Sequence, residues 1–185
     1  MKLSLAVCLG LLVTSASALA ADGTINFTGD INGNTCTING GAEGSNTQSV
    51  ALGSVPVSAL QKQGDLAGMQ PFSIQLTNCD STGTSVAARF ESLTLGSPDG
   101  HLMLTGNGTQ GVAKNVMIAL YDSKNNLQPV NGTVPTESYT TFTSTGEGEA
   151  AVKSATLNYI AAYYATGKSE AGTANSTVSY TLSYQ

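Results

Sequence analysis

Apolar and polar side chains alternate at both ends of the sequence. Near the beginning, the apolar positions of residues 23–31 are Gly23, Ile25, Phe27, Gly29 and Ile31. Near the end, they are Val178, Tyr180, Leu182 and Tyr184, with Ser or Thr between them. A period of two is typical of a β-strand that has one apolar face. The pattern therefore predicts a strand at each end of the protein.

Further short strands are predicted between these two ends. They cover residues 50–52, 72–79, 86–95, 101–105, 116–121, 139–143 and 157–165. The connections are rich in Gly, Asn, Ser and Pro and cover residues 39–49, 98–100, 123–126, 131–132, 145–149 and 166–175. Residues 56–64 predict one helical turn, with Ser58 as its candidate cap and Gly64 as its stop. Strands at this spacing favour an all-β sandwich of the immunoglobulin-like type.

The first twenty residues are typical of a secretory signal peptide. Lys2 precedes an apolar run from Leu3 to Val13, and small residues follow. Ala18 and Ala20 occupy the −3 and −1 positions for cleavage before residue 21. The apolar run is too short for a membrane span. Removal of residues 1–20 takes away one lysine and changes the formal net charge from −5 to −6.

The composition is poor in charge and excludes some classes of protein. Charged residues make up 10% of the chain and hydrophobic residues 41%. So few cations argue against a protein that follows nucleic-acid phosphates. The shortage of strong helix formers argues against a helical bundle. One domain fits the length.

Two cysteines remain after the signal peptide takes Cys8 away. Cys36 and Cys79 then form a pair in an oxidising compartment, which favours a disulfide. Such a bridge is worth about 4 kcal/mol in the chain-entropy model. Two free thiols or half of a metal site are the alternatives, and both are weaker because His101 is the only histidine.

Several residues qualify as candidates for chemistry, but none predicts an enzyme. Residues 106–111 match GxGxxG, yet the following residues alternate like a strand rather than a nucleotide-binding helix. His101 is the one candidate imidazole base, with Asp99 two residues away across a turn, and no nucleophile motif supports it. Glu147 and Glu149 are interpreted as solvated loop charges.

Three segments together resemble the pilins, the subunits of chaperone–usher (type 1-like) fimbriae, of the major-subunit type. Residues 23–31 followed by Cys36 resemble the N-terminal extension of that family. Residues 71–79 resemble its second-cysteine strand. Residues 163–167, 171–175 and the last strand are similar to its C-terminal motif, in which Gly172 is fourteenth from the end and Tyr184 is penultimate. The resemblance covers nearly the whole exported chain.

This resemblance implies an immunoglobulin-like sandwich that lacks its last strand and has an apolar groove beside the last strand present. A periplasmic chaperone fills the groove first. At the outer-membrane usher, the N-terminal extension of the next subunit replaces the chaperone strand. The implied organisation is residues 1–20 as signal peptide, 21–31 as donor-strand extension and 32–185 as pilin domain, exported to the periplasm and then to the extracellular fimbria.

The resemblance also implies roles for individual residues. Ile25 and Phe27 are the main donor anchors, and Gly23 and Gly29 allow close approach in the groove. The residues expected at the groove edge and in chaperone recognition are Gly172, Val178, Tyr180, Leu182, Tyr184 and Gln185. No cofactor is needed for strand exchange.

Two other functions compete with a polymerising shaft subunit. A minor adaptor or sugar-binding, tip-associated subunit is the main alternative, although residues 21–185 leave no room for the separate receptor-binding domain of a tip adhesin. A secreted enzyme is the weaker alternative.

Overall fold

The computed structural model describes residues 35–39, 46–80, 83–146 and 151–185. Strands dominate these ranges. The strands are β1 (Thr35–Ile38), β2 (Leu66–Asp80), β3 (Ser85–Glu91), β4 (Leu102–Met103), β5 (Lys114–Asp122), β6 (Thr140–Thr141), β7 (Thr143–Thr145), β8 (Val152–Glu170) and β9 (Ser179–Tyr184). Two single 3₁₀ turns cover Val57–Ala59 and Thr136–Ser138.

The strands form two antiparallel sheets. The large sheet has the order β1-β2-β8-β5-β4, and β7 pairs with a further part of β8. The small sheet has the order β6-β3-β9. The two sheets share one apolar core, which confirms the predicted all-β sandwich.

The core lies where the alternating faces of the two sheets meet. In β2 and β8 the inward positions include Ile74 and Leu157, each 1% exposed. In the small sheet, Val86 and Phe90 point into the same core. The Phe90 ring contacts Tyr159 edge-on, with ring centroids 5.1 Å apart. The period-two patterns of the sequence thus correspond to burial on one face of each strand.

Several strand boundaries differ from the predicted ones: β2 and β8 begin earlier, at Leu66 and Val152, and three further differences have an identifiable cause. Residues 50–52 are irregular rather than a strand, although Val50 and Leu52 pack against the core and account for the apolar pattern. The third strand stops at Glu91, because the side chain of Asn131 bonds both backbone groups of Ser92 and holds a turn there. Core packing without a strand partner and a side-chain bond from a distant residue cannot be detected from the alternation of neighbouring residues.

The third difference concerns the predicted connection at residues 166–175. β8 continues through the first half of this predicted connection, as far as Glu170. It does so because β5 still supplies a partner strand there, with Lys114 paired to Glu170. Asn115 Nδ2 also donates to the carbonyl of Lys168 at 2.8 Å. Small and polar residues concealed this part of the strand in the sequence.

The predicted helical turn is present as the 3₁₀ turn Val57–Ala59, followed by the buried Leu60. Ser58 lies inside the turn instead of capping it, and Pro56 holds the cap position without a side-chain bond. Gly64 has φ +92°, which suits its predicted role as a stop.

Some predictions lie outside the described residues. They are the signal peptide at residues 1–20, the strand at residues 23–31 with its donor positions, and Glu147 and Glu149. No helix in the described ranges is long and apolar enough to cross a membrane.

Candidate functional site

The last strand, β9, lies at an edge of the small sheet. It pairs with β3 from Val86–Tyr184 to Glu91–Ser179. β3 also pairs with β6 on its other side, whereas β3 is the one strand partner of β9 among the described residues. An edge of this kind presents backbone N–H and C=O groups that can accept another strand.

The side chains of β9 have the alternation that the sequence predicts. Val178, Tyr180, Leu182 and Tyr184 are partly buried against the core, and the intervening Thr177, Ser179 and Thr181 are exposed. The Tyr180 hydroxyl is buried and has no hydrogen-bond partner in the structure. Burial raises the pKa of both Tyr180 and Tyr184. Their predicted role in chaperone recognition stays a prediction.

Residues 46–56 supply a second half-buried apolar segment. Val50, Leu52 and Val55 pack against the core without joining a strand ladder within the described ranges. The hydroxyl of Tyr163 in β8 donates to the carbonyl of Gly53 at 3.0 Å and ties the segment to the large sheet. This segment is therefore held mainly by side-chain contacts among the described residues.

A groove of about 440 Å³ lies between residues 53–60 and residues 169–175. Its apolar lining is Val55, Val57, Leu60, Ala113, Val116, Tyr163, Ala171 and Ala174. The polar and charged groups of its lining come from Ser54, Ser169, Glu170, Thr173 and Asn175. Such a lining suits an apolar side chain carried by a hydrogen-bonding backbone.

The predicted disulfide joins Cys36 in β1 to Cys79 in β2. Tyr184 reaches this bridge, with its hydroxyl 3.7 Å from Cys36 Sγ, and its ring stacks on Phe142. The final residue, Gln185, is held next to it: its carbonyl oxygen accepts from Thr84 N at 2.5 Å and Ser85 N at 3.0 Å. The C-terminal strand is thus fixed to β3 up to its last residue.

Gly172 lines the 440 Å³ groove together with Ala113 and Thr173. Its backbone crosses that of Val112 and Ala113, and a Cβ built on Gly172 would stand 2.3 Å from Ala113 N. The sequence motif marks the position of Gly172 but does not predict this backbone crossing.

The only histidine is packed rather than free. His101 is 6% exposed and stacks on Tyr164, with ring centroids 3.9 Å apart. The turn brings Asp99 Oδ2 within 3.1 Å of its Nδ1. The hydrogen bond from Ser97 and the proximity of the His101 imidazole lower the pKa of Asp99. Ser97 Oγ bonds Asp99 and the His101 backbone instead of the imidazole, so these residues do not form a nucleophile–base pair.

A buried polar cluster at the end of β5 was not found from the sequence. Asp122, 4% exposed, accepts from Ser138 Oγ at 2.8 Å and Asn126 Nδ2 at 2.9 Å. Burial raises the pKa of Asp122, but the bonds from Asn126, Ser138 and the Lys124 backbone outweigh it and lower the pKa. The cluster closes the turn after β5. In the sequence, its one signal was the spacing of Asp122 and Asn126, which is typical of such turns.

The glycine-rich match at residues 106–111 is a loop between β4 and β5, as the sequence predicted. Gly106, Gly108 and Gly111 all have positive φ, and a strand rather than a helix follows. In the ranges that the structure covers, no three side chains of metal-binding type come together.

Residues 25–185 match the family described as fimbrial protein. The chain is 36% identical over 155 residues to long polar fimbria protein A of Salmonella typhimurium, covering 82% of this chain and 80% of that protein. It is 37% identical over 154 residues to the major fimbrial subunit SMF-1 of Stenotrophomonas maltophilia, covering 80% and 84%. The fold is similar to that of the P pilus rod subunit PapA, with a TM-score of 0.57, 18% identity and coverage of 81% and 99%.

Proposed function

The chain belongs to the fimbrial protein family as a structural subunit, and we propose that its copies polymerise by strand donation. In this proposal residues 21–31 of one copy complete the sandwich of the next copy beside β9. The observation that carries the proposal is the edge position of β9 combined with its half-buried apolar face.

Strand addition needs two things that this edge offers. Backbone groups on β9 provide the hydrogen bonds that give affinity, and the alternating side chains below provide contacts for every second residue of the added strand. Val50, Leu52 and Val55 supply further apolar surface against the core, and Val55 also lines the 440 Å³ groove. The buried, unpaired hydroxyl of Tyr180 also favours an additional partner at this edge, since such groups are normally satisfied.

The donor strand has a matching pattern. Ile25 and Phe27 are the two large apolar side chains on one face of residues 21–31, and they serve as the anchors. Gly23 and Gly29 lie on the same face and permit close approach where the groove is shallow. The exchange trades one inserted strand for another, so it requires no cofactor and no nucleotide.

The partners and route follow from the same mechanism. The signal peptide directs the chain to the periplasm, where a pilus chaperone holds the β9 edge until an outer-membrane usher brings in the next subunit. The mature subunit then resides in the extracellular fimbria. Its role is structural, without catalysis and without nucleic-acid binding.

Deleting residues 21–29 tests the proposal directly. The truncated chain retains β9 as an acceptor but lacks the donor, so we expect a chaperone-bound monomer and no polymer. Gel mobility with and without boiling measures this: the full chain gives a ladder that collapses to monomer on boiling, and the truncated chain gives monomer only.

A matched pair of substitutions refines the test. Phe27→Ala removes a donor anchor and shortens the ladder, whereas Asn26→Ala changes the opposite face of the same strand and leaves the ladder intact. Polymer formation by the truncated chain, or equal ladders from the two variants, would contradict strand donation by residues 21–31.

A further inference from the structure

Two identical Asn-Gly-Thr segments lie on the surface of the subunit, at residues 107–109 and 131–133. Asn107 and Asn131 are both exposed, so water reaches both side-chain amides. Two further Asn-Gly pairs, at residues 32–33 and 39–40, lie wholly or partly outside the described residues. Because the two surface segments are identical and equally open to water, any difference in their chemistry comes from the fold around them.

An Asn-Gly pair carries both partners of a ring-closing reaction. The backbone nitrogen of the glycine attacks the side-chain carbonyl carbon of the asparagine and forms a new C–N bond. The side-chain nitrogen leaves as ammonia, with the proton that the glycine nitrogen gives up. Water then opens the succinimide ring at either carbonyl, which gives aspartate or isoaspartate. Glycine permits the close approach because it has no Cβ, and the reaction needs an asparagine side chain and a glycine N–H that are free of hydrogen bonds.

The segment at Asn131 meets neither requirement. Asn131 Oδ1 accepts from Ser92 N at 2.8 Å, and Asn131 Nδ2 donates to Ser92 O at 2.7 Å. Gly132 N donates to Pro129 O at 3.2 Å. A Cβ on Gly132 would lie 2.6 Å from Pro129 Cγ, so packing also holds this backbone in place. The attacking nitrogen and the leaving amide are therefore both occupied.

The segment at Asn107 meets both requirements. Within the described ranges, the Asn107 side-chain amide and Gly108 N make no hydrogen bond. Gly108 has φ +85°, and a Cβ built there would meet nothing within 4 Å, so the reacting pair faces open space. The bonds of this loop lie on either side of the pair. Asn107 N donates to Leu104 O at 3.0 Å, and Thr109 N donates to Gly106 O at 2.9 Å.

We propose that Asn107 is a site of spontaneous deamidation in the folded subunit and that the fold protects Asn131 from the same reaction. Each event replaces an amide by a carboxylate in a loop, residues 106–111, that contains no charged side chain. Because the pair faces open space, the loop accommodates either product, including the extra backbone methylene of isoaspartate. Copies of the subunit that have been folded for longer therefore carry more negative charge at this loop.

The test follows both segments in one sample. The full chain is recovered from cells in its native assembly, incubated at neutral pH over several weeks, and digested with trypsin at intervals. Lys114 and Lys124 lie between the two sites, so Asn107 and Asn131 fall in different peptides. Asn107 is the one asparagine in its peptide, residues 90–114. Mass spectrometry measures the conversion of amide to carboxyl group in each peptide, and the same chain in concentrated urea gives both rates without the fold.

In the folded chain we expect Asn107 to react at least about a hundredfold faster than Asn131. Three hydrogen bonds must open before Asn131 can react, and each changes an equilibrium by about fivefold. In urea the two sites should react at similar rates, because they share the Asn-Gly-Thr sequence. The fold thus accounts for the difference if it is present in the native assembly and lost in urea.

Two variants check the site and its product. Asn107→Gln should abolish the reaction in the 90–114 peptide, because the longer side chain closes a ring much less readily. Asn107→Asp is one of the two products and should melt within about 2 °C of the wild type, since it changes an exposed loop position.

Four results would overturn the inference. One is a rate at Asn107 in the folded chain that is no higher than the rate at Asn131. Another is reaction of Asn107 in urea only, which would mean that the fold blocks this site as well. The third is a reaction in the 90–114 peptide that persists in Asn107→Gln. The last is a melting temperature of Asn107→Asp that is lower by more than about 5 °C, since the loop would then not accommodate the product.

Discussion

β8 and β9 both alternate apolar and polar residues, but the sandwich uses them differently. β8 has 19 residues and pairs with β2 along one edge and with β5 and β7 along the other. β9 has six residues, pairs with β3, and has half-buried rather than buried apolar side chains. Alternation therefore identifies a strand, while its neighbours determine whether that strand stabilises the subunit or offers an edge to a partner.

The largest expected effect tests the stabilising role of β8. Leu157 is 1% exposed and lies in the middle of that strand. Leu157→Ala should lower the free energy of unfolding by about 3 kcal/mol, because it loses apolar burial and leaves a cavity. Urea unfolding measures this loss. If Leu157→Ala lowers the free energy of unfolding by less than Leu182→Ala in β9, the stabilising role of β8 is contradicted.

An intermediate effect concerns Tyr159, which connects the two sheets. Its hydroxyl oxygen accepts a bond from Ala88 N at 2.9 Å, and its ring contacts Phe72 and Phe90. Tyr159→Phe leaves the buried Ala88 N–H without this acceptor and should cost about 2 kcal/mol. Thermal unfolding at neutral pH measures it. A cost near zero would mean that the bond does not couple the sheets.

The same residue predicts a dependence on alkaline pH. Burial raises the pKa of Tyr159 to about 12, against about 10 in an unfolded chain. The resulting stabilisation is fully present below pH about 10 and is lost as the pH rises through about 12. Tyr159→Phe should reduce this alkaline loss. It should not abolish it, because burial also raises the pKa of Tyr163 and Tyr180.

The smallest effect on stability is expected in β9. Leu182 is half-buried, so Leu182→Ala should cost the subunit only about 1 kcal/mol in the absence of an added strand. Its effect on binding a peptide of residues 21–31 should be larger, because the added strand completes the burial of Leu182. Calorimetric titration measures the affinity, with the exposed Ser179→Ala as control. Equal peptide affinities for the two variants would contradict an acceptor role for this face.

The sequence predicted the fold most successfully where burial follows a period of two. β5 and β9 fall close to their predicted positions, and β2 contains its predicted range although it begins six residues earlier, at Leu66. Ile74, Ile118 and Leu182 mark the faces of these strands that pack on the core. Residues 50–52 have the same local pattern but no ladder in the described ranges. Burial without strand pairing produces the same sequence signal, so pattern alone could not separate the two.

Long-range contacts account for the parts of the site that the sequence could not provide. Gly172 stood out only through its place in a family motif, because its crossing partner Ala113 is far away in the chain. The end of β3 at Glu91 depends on Asn131 in the same way. The Cys36–Cys79 pair was predictable because export and the cysteine count leave few alternatives.

The position of that disulfide has a mechanical consequence. Tension applied to the chain ahead of Cys36 passes straight to Cys79 and into β2, which lies inside the large sheet between β1 and β8. Residues 37–78, including segment 46–56 beside the groove, lie in the covalent loop that this path bypasses. Under the proposed strand donation, a pull from a neighbouring copy on residues 21–31 therefore bypasses segment 46–56 and leaves it in place.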